Sequence, residues 1–419
     1  MKDRWAWIAT GSTLILSLIF STSTVFVREG WPEQSFQIGV YALTAVYLIG
    51  GIRGTGENVA SGVAPWLVYF IPVWGVIQII AHTTASTFET REAALRWGAL
   101  AAVFFLAQVV ARTRAAREVI LMAFLCFATV LAVLCMLQLF TSEGSVLWLF
   151  PSGYPDVFAT FQYRNNYTQF IEISLPIALW WALRDGRGGW GFSLVGGVLF
   201  ASVIGSASRS GSIICTAELL VMLAIGLVQF MREKKRRLFS STALALIMVP
   251  LLASIFVSAV GWQRVWVRFQ ESDPYAGRRE FMLSAVDMAK HRPWMGYGLG
   301  TFTEVYQQHS IKDFPFYANH AHNDWAEFAA DGGIPFLLLI LIPCAAAVPT
   351  AIRHPWGLGI IAVMLNACVD YPFPRPAVSG WFFAMLALLY MTRTWDQNSR
   401  NAETQQVTDD PLQVLEFKR

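Results

Sequence analysis

Three groups of residues in this chain have the types and spacing to do chemistry. The first is arginine. Arg209 sits in Ser206-Ala207-Ser208-Arg209-Ser210-Gly211, and the doublet Arg278-Arg279 follows Gly277. A guanidinium fork binds phosphate oxygens bidentately. At a helix start it opposes the helix dipole, a conflict that a bound anion resolves. Arg209 reads equally as a side chain snorkelling to lipid phosphate and as an anion site near the membrane plane. For the doublet, the alternative to an anion site is two solvated charges. The second group is His320-Ala321-His322-Asn323-Asp324-Trp325-Ala326-Glu327. Imidazole moves a proton near neutral pH, as a hydroxyl nucleophile requires. Positions i and i+2 do not share a helix face and no standard zinc spacing appears, so no metal is expected. Either histidine alone would read as an interfacial hydrogen bonder.

The third group borders or enters the apolar segments. Phe161-Gln162-Tyr163-Arg164-Asn165-Asn166-Tyr167 leads into a run that carries Glu172 and Pro176. An ionisable group inside a membrane span is costly and is a functional candidate by default. Asp370-Tyr371-Pro372-Phe373-Pro374-Arg375-Pro376 is a proline-stiffened turn that would hold Asp370 or Arg375 at a rim. Glu218, inside another run, reads equally as a partner for a neighbouring span.

What positions these residues is a membrane bundle. Of 419 residues, 55% are apolar and only 14% are charged, where soluble domains carry roughly a quarter charged residues. The formal net charge of +3 gives no reason to expect nucleic acid. The five cysteines, Cys126, Cys135, Cys215, Cys344 and Cys368, all lie in apolar runs, without zinc or disulfide spacing. Apolar runs of spanning length give an all-α polytopic protein with about twelve transmembrane helices, near 5–27, 36–52, 63–81, 94–111, 119–140, 167–184, 191–208, 211–231, 240–260, 326–352, 356–371 and 376–392. The first is read as an uncleaved span.

Charge orients the bundle. With the N-terminus in the cytoplasm, the even-numbered connections hold Arg53; Arg112, Arg114 and Arg117; Arg184 and Arg187; Arg232, Lys234, Lys235, Arg236 and Arg237; and Arg353. The odd short connections hold few basic residues, as the positive-inside rule requires. The expected organisation is nine spans in 1–260, a periplasmic loop over 261–325, three spans in 326–392 and a polar, poorly ordered cytoplasmic tail over 393–419. The loop is rich in Trp, Phe, Tyr, Gly and Pro, which argues for order. Within it, 278–291 has helical periodicity, with Phe281, Met282, Ala285, Val286, Met288 and Ala289 on one side. That pattern fits an amphipathic helix at the interface, ended by Pro293 and the glycines at 296, 298 and 300.

Several arginines and a histidine on the outer rim of an apolar bundle suit a substrate with a greasy tail and a phosphate-rich head. Arginines would stabilise charge on a departing pyrophosphate, and a histidine would accept the proton of an attacking alcohol.

The chain resembles the O-antigen ligase and polymerase superfamily. The resemblance rests on Gly277-Arg278-Arg279-Glu280-Phe281-Met282, then His291-Arg292-Pro293-Trp294-Met295-Gly296-Tyr297-Gly298-Leu299-Gly300-Thr301-Phe302 and Tyr306. It continues in His320-Ala321-His322-Asn323, Glu327, Asp331-Gly332-Gly333-Ile334-Pro335, the segment from Phe161 to Pro176, and Asp370-Tyr371-Pro372-Phe373 with Pro376. Tyr163 stands where many members have an Asn, and Phe336 where a Gly is frequent. The resemblance implies that Arg209 and Arg278, or Arg279 in its place, engage a pyrophosphate, and that His322 activates the acceptor hydroxyl. Arg164, Asn165, Glu172, His320, Asn323, Glu327, Asp370 and Arg375 would support them.

It further implies a metal-independent, inverting glycosyltransferase of the bacterial inner membrane, with no cofactor. The donor would be an undecaprenyl-pyrophosphate-linked glycan and the acceptor a lipid A–core hydroxyl, with membrane lipids around both. A polysaccharide polymerase or a protein O-oligosaccharyltransferase of the same superfamily remains an alternative. A lipid-linked glycan transporter fits less well, because transporters place ionisable groups near the midplane of repeated halves and this sequence shows no repeat.

Overall fold

The computed structural model describes residues 2–50, 60, 62–184, 189–233, 249–252, 254–256, 258–259, 263, 266–267, 270, 276–310, 312 and 317–409. The helices are α1 (Lys2–Ser23), α2 (Trp31–Ile49), α3 (Ala64–Ile80), α4 (Thr87–Val110), α5 (Arg114–Thr141), α6 (Arg164–Leu183), α7 (Gly189–Gly205) and α8 (Arg209–Glu233). After them come α9 (Ala276–His291), α10 (Phe302–Val305), α11 (Asp324–Arg353), α12 (Leu358–Asn366) and α13 (Pro376–Asp409). Two short strands, β1 (Ser145–Val146) and β2 (Phe150–Pro151), pair antiparallel between α5 and α6.

Local chemistry sets many of the starts. Ser86, Thr113 and Asn323 each take an extended conformation, and each side chain accepts from a backbone N–H three residues on. These are N-caps that satisfy donors the first helical turn leaves open.

Packing sorts the helices into two kinds. α6 and the first half of α13 are buried on nearly every face, and most of α4 is buried too. Helices apolar all round belong inside a bundle. Trp381 of α13 stacks on Phe124 of α5 at 4.3 Å between ring centroids. Trp97 of α4 meets Phe328, Phe336, Phe373 and Phe383. By contrast α2, α3, α5 and α8 present Ile49, Phe70, Ile80, Leu137 and Leu220 outward. Water would penalise such faces, and a bilayer does not. Among the described residues, five helices are long and apolar enough to cross a membrane, and three more apolar helices are shorter. The chain is an integral membrane protein. The expected count of twelve spans goes beyond these helices, and most of the expected ninth span, with the basic cluster 234–237, lies outside the described residues.

Three local expectations differ from the structure. The eleventh expected span is a 3-10 turn followed by the nine residues of α12. At 1.5 Å per residue such a helix falls well short of a hydrocarbon core of about 30 Å. The tail expected from 393 onward instead continues α13 to Asp409. Most informative is α9. It forms where periodicity placed it, but Phe281, Ala285 and Met288 are covered by Phe302, Val305, Tyr306, Ala318, Ala321 and Ala330. These three residues of α9 lie against protein and are not available to a bilayer, while Met282, Val286 and Ala289 of the same stripe stay half-buried.

The connections before α2, α4, α6, α8, α11 and α13 share one rim. Thr160 Oγ1 donates to the carbonyl of Thr22 (2.8 Å), Ala85 N to that of Tyr297 (2.6 Å), and Asp324 N to that of Ala367 (2.9 Å). α11 is bent at this end. Gly333 has φ 73° and ψ 178°, a region essentially reserved for glycine. The bend releases carbonyls that a straight helix would use itself, and the loop 293–301 takes them. Tyr297 N donates to Ala330 O (3.0 Å) and Gly298 N to Asp331 O (2.8 Å), and in the opposite direction the helix's Ile334 N donates to the loop's Pro293 O (2.7 Å). From α3, Trp74 Nε1 donates to Gly332 O (2.8 Å) and Gln78 Nε2 to Asp331 O (2.8 Å), while Gln78 Oε1 accepts from Leu299 N (3.0 Å). The glycine-rich loop is therefore a clamp on a bent helix, and its glycines at 296, 298 and 300 all have positive φ.

Candidate active site

Two cavities open at this rim and share a wall. One, of about 320 Å³, is lined by Arg164, Asn165, Ser208, Arg209 and Arg278, among others. The other, of about 280 Å³, is lined by Asn165, Arg278, His320, His322, Asp370 and Tyr371, among others. Tyr163, Asn165 and Arg278 border both. Arg209 and Arg164 begin α8 and α6, and Arg278 lies in the first turn of α9. Three helix N-termini thus bring guanidinium groups and partly positive backbone ends to one cavity, the setting that favours an anion.

His322 stands in a left-handed backbone conformation, φ 53°, which turns its ring toward the loop after α12. Its Nδ1 lies 3.1 Å from Asp370 Oδ1. A carboxylate only accepts, so Nδ1–H donates and the lone pair resides on Nε2. Asp370 is 2% exposed where His322 is 24% exposed, so the acid is sheltered and the imidazole reaches the cavity. The other carboxylate oxygen of Asp370 accepts from Asn165 Nδ2 and lies 3.6 Å from Arg278 Nη1. Arg278 Nη1 also donates to the carbonyl of Val369 (3.4 Å). Burial by itself would push the Asp370 carboxyl up. The hydrogen bonds from His322 and Asn165 and the charges of Arg278 and His322 outweigh it and hold this group below the usual carboxylate range. One buried anion thereby orients the base candidate in the loop before α11 and the arginine of α9.

Asn165 continues the chain of contacts. Its Oδ1 accepts from Ser208 Oγ at 2.9 Å, which ties the start of α6 to the residue before Arg209. Tyr371 lies between the two histidines. Its ring stacks on His320 at 4.4 Å and meets His322 edge-on at 4.9 Å. Burial pushes its hydroxyl up to about 12, so it is a neutral wall at neutral pH.

The remaining expected residues divide. His320 Nδ1 lies 2.9 Å from Glu327 Oε1, and Glu327 Oε2 accepts from Ala321 N at 2.7 Å. Asn323 caps α11 and donates to the carbonyl of Cys368 at 2.8 Å. Arg279 is exposed and lines neither cavity, so Arg278 is the member of the doublet that faces both. Arg375 lies over the Tyr371 ring at 5.8 Å and lines neighbouring cavities instead. Glu172 sits deeper, fully buried, accepting from Asn366 Nδ2 at 2.7 Å. Sequence reasoning passed over Ser208, Asn366, Tyr371 and Gln78. The polar Asn366 and Gln78 inside apolar runs were the available signals.

Residues 194–341 match the family model described as O-Antigen ligase. The match holds Arg209, Arg278, Arg279, His320, His322, Asn323 and Glu327, and leaves Asn165, Glu172, Asp370 and Arg375 outside it. No curated protein matches the chain, nor does any solved structure.

Proposed function

We propose that this chain, whose residues 194–341 match the O-antigen ligase family model, acts as such a ligase and transfers a glycan from undecaprenyl pyrophosphate to a lipid A–core hydroxyl at the periplasmic rim of the bacterial inner membrane. The observation that carries this reading is the His322–Asp370–Arg278 constellation between two cavities, one rich in arginine and one open to the imidazole. The donor's pyrophosphate lies in the cavity of Arg209, Arg278 and Arg164, its polyprenyl tail in the bilayer. The acceptor enters beside His322 and Tyr371.

In the transfer step the acceptor hydroxyl oxygen attacks the anomeric carbon from the face opposite the pyrophosphate. The new C–O bond forms as the bond to the pyrophosphate oxygen breaks, and the configuration inverts. His322 Nε2 takes the hydroxyl proton, and the Asp370 carboxylate stabilises the imidazolium. Arg209 and Arg278 neutralise charge that builds on the leaving group, in a site where guanidinium groups are already in place. No metal is assigned to this step.

Deleting the gene and resolving surface lipopolysaccharide by gel tests the acceptor. The expected result is loss of long chains from lipid A, with their accumulation on undecaprenyl pyrophosphate. Lipid A that keeps a single repeat would instead make the protein a polymerase. Unchanged lipopolysaccharide would remove both readings.

A further inference from the structure

Away from the two cavities, α9 and the 3-10 turn at Tyr306–His309 bring together Asp287, His291 and His309. One ligand atom from each lies within 4.8 Å of the others. Asp287 and His291 are four apart on α9, hence on one face. His309 comes from the following turn, eighteen residues beyond His291. Asp287 Oδ2 lies 2.7 Å from His309 Nδ1 and 3.4 Å from His291 Nδ1, and the two imidazole rings are 5.0 Å apart. His309 Nε2 lies 3.1 Å from the hydroxyl of Tyr297.

We propose that Asp287, His291 and His309 bind a borderline divalent cation, with zinc as the fitting ion, at a site separate from the transfer centre. The donor set argues for the ion. Two imidazoles and one carboxylate suit zinc and its neighbours, whereas calcium and magnesium favour oxygen-only shells. Zinc–ligand bonds of about 2.0–2.1 Å put tetrahedral ligands about 3.3 Å apart. Small side-chain rotations bring the three atoms from their present spacing to that value.

The hydrogen-bond pattern argues for the position. Asp287 accepts only, so His309 Nδ1 carries the proton that lies between them, and the Tyr297 hydroxyl donates to Nε2. A cation in that proton's place takes the Nδ1 lone pair. The proton then moves to Nε2–H, which donates to the same tyrosine oxygen, because a hydroxyl serves either role. An outer-shell partner of this kind fixes the ring of a metal-bound histidine. His291 Nδ1 also lies 2.9 Å from its own helix's Asp287 carbonyl, a local contact that the ion replaces.

The consequence is a cross-link. The ion ties the C-terminal half of α9 to the 306–309 turn, and so holds the helix whose first turn carries Arg278. The site is exposed at His291 and Asp287, which gives the ion a path from solvent.

The test uses tag-free, full-length protein in detergent, stripped with EDTA and dialysed against zinc chloride. Wild type is expected to retain one more zinc per chain, by inductively coupled plasma mass spectrometry, than an H291A/H309A variant. Zinc is also expected to raise the melting temperature of wild type but not of that variant, while magnesium does neither. Because alanine variants can fail to fold, Asp287→Asn, which preserves shape, is measured in parallel and is expected to lose the same equivalent. Equal zinc content in wild type and Asp287→Asn, or an equal thermal shift in both, overturns the assignment. Transfer activity of the stripped wild type is expected to persist, because none of the three residues lines either cavity.

Discussion

Two imidazole–carboxylate pairs stand two residues apart, His320 with Glu327 and His322 with Asp370, and both rings touch Tyr371. Their chemistry is alike and their setting is not. Glu327 is seven residues from His320, and its second oxygen goes to the backbone of Ala321. That pair closes the turn into α11. Asp370 is 48 residues from His322, and its second oxygen faces Asn165 of α6 and Arg278 of α9. That pair joins four parts of the chain and shares its carboxylate with an arginine at the arginine-lined cavity. The difference teaches that a histidine's function is set by what its partner also holds. A carboxylate spent on its own helix builds a fold, and one shared across elements builds a site.

The comparison can be broken at several points. Asp370→Ala removes the orienting partner of His322 and the counter-charge of Arg278 together. A transfer loss of roughly 10²–10⁴-fold is expected in reconstituted membranes, and a smaller loss than Glu327→Ala gives would reverse the ranking of the two pairs. Arg278→Gln is expected to lower transfer about 10²–10³-fold, as removal of one charge-stabilising donor does. Arg279→Gln, exposed and outside both cavities, should leave the rate nearly unchanged. A more damaging Arg279→Gln would move the anion site.

Acid supplies a finer test. The Asp370 carboxyl is held below its ordinary value of 3.8, so its contribution to stability is present above that value and is lost as pH falls through the lower folded one. The stability advantage of wild type over Asp370→Asn should persist from about pH 8 to pH 5 and shrink only below about pH 4. An advantage already fading at pH 6 would mean that the carboxylate is not held in this way. Smallest of all, Glu327→Gln keeps the shape of the local pair, and its expected effect is a lower melting temperature with a transfer rate within about tenfold of wild type.

Much of this was legible because charge is rare in the chain. In a sequence with 14% charged residues, Arg209, the Arg278–Arg279 doublet and the His320–His322 pair stand out, the roles of Arg278 and His322 among them are what the family resemblance implies, and the helical period of 278–291 gives α9 directly. What the chain order hides is pairing. Nothing local ties Asp370 to His322 or to Asn165, since those contacts exist only once α6, α11 and the turn after α12 meet. The covering of Phe281, Ala285 and Met288 of α9 is hidden for a related reason. Periodicity identifies an apolar stripe but not what covers it, and here the cover is Phe302, Tyr306 and Ala330. The bend at Gly333 was equally hidden, because two adjacent glycines allow a kink without requiring one. Gln78, which holds the clamp from α3, is in the sequence only a polar residue within an apolar run.

The most direct measurement sets the two histidines against each other. Wild type, His322→Asn and His320→Asn are purified, reconstituted in liposomes with lipid-linked donor and lipid A–core acceptor, and compared by initial rate of transfer. His322→Asn should fall by roughly 10²–10⁴-fold while His320→Asn stays within about tenfold of wild type. Full activity in His322→Asn, or equal losses in the two variants, would contradict the assignment of His322 as the base.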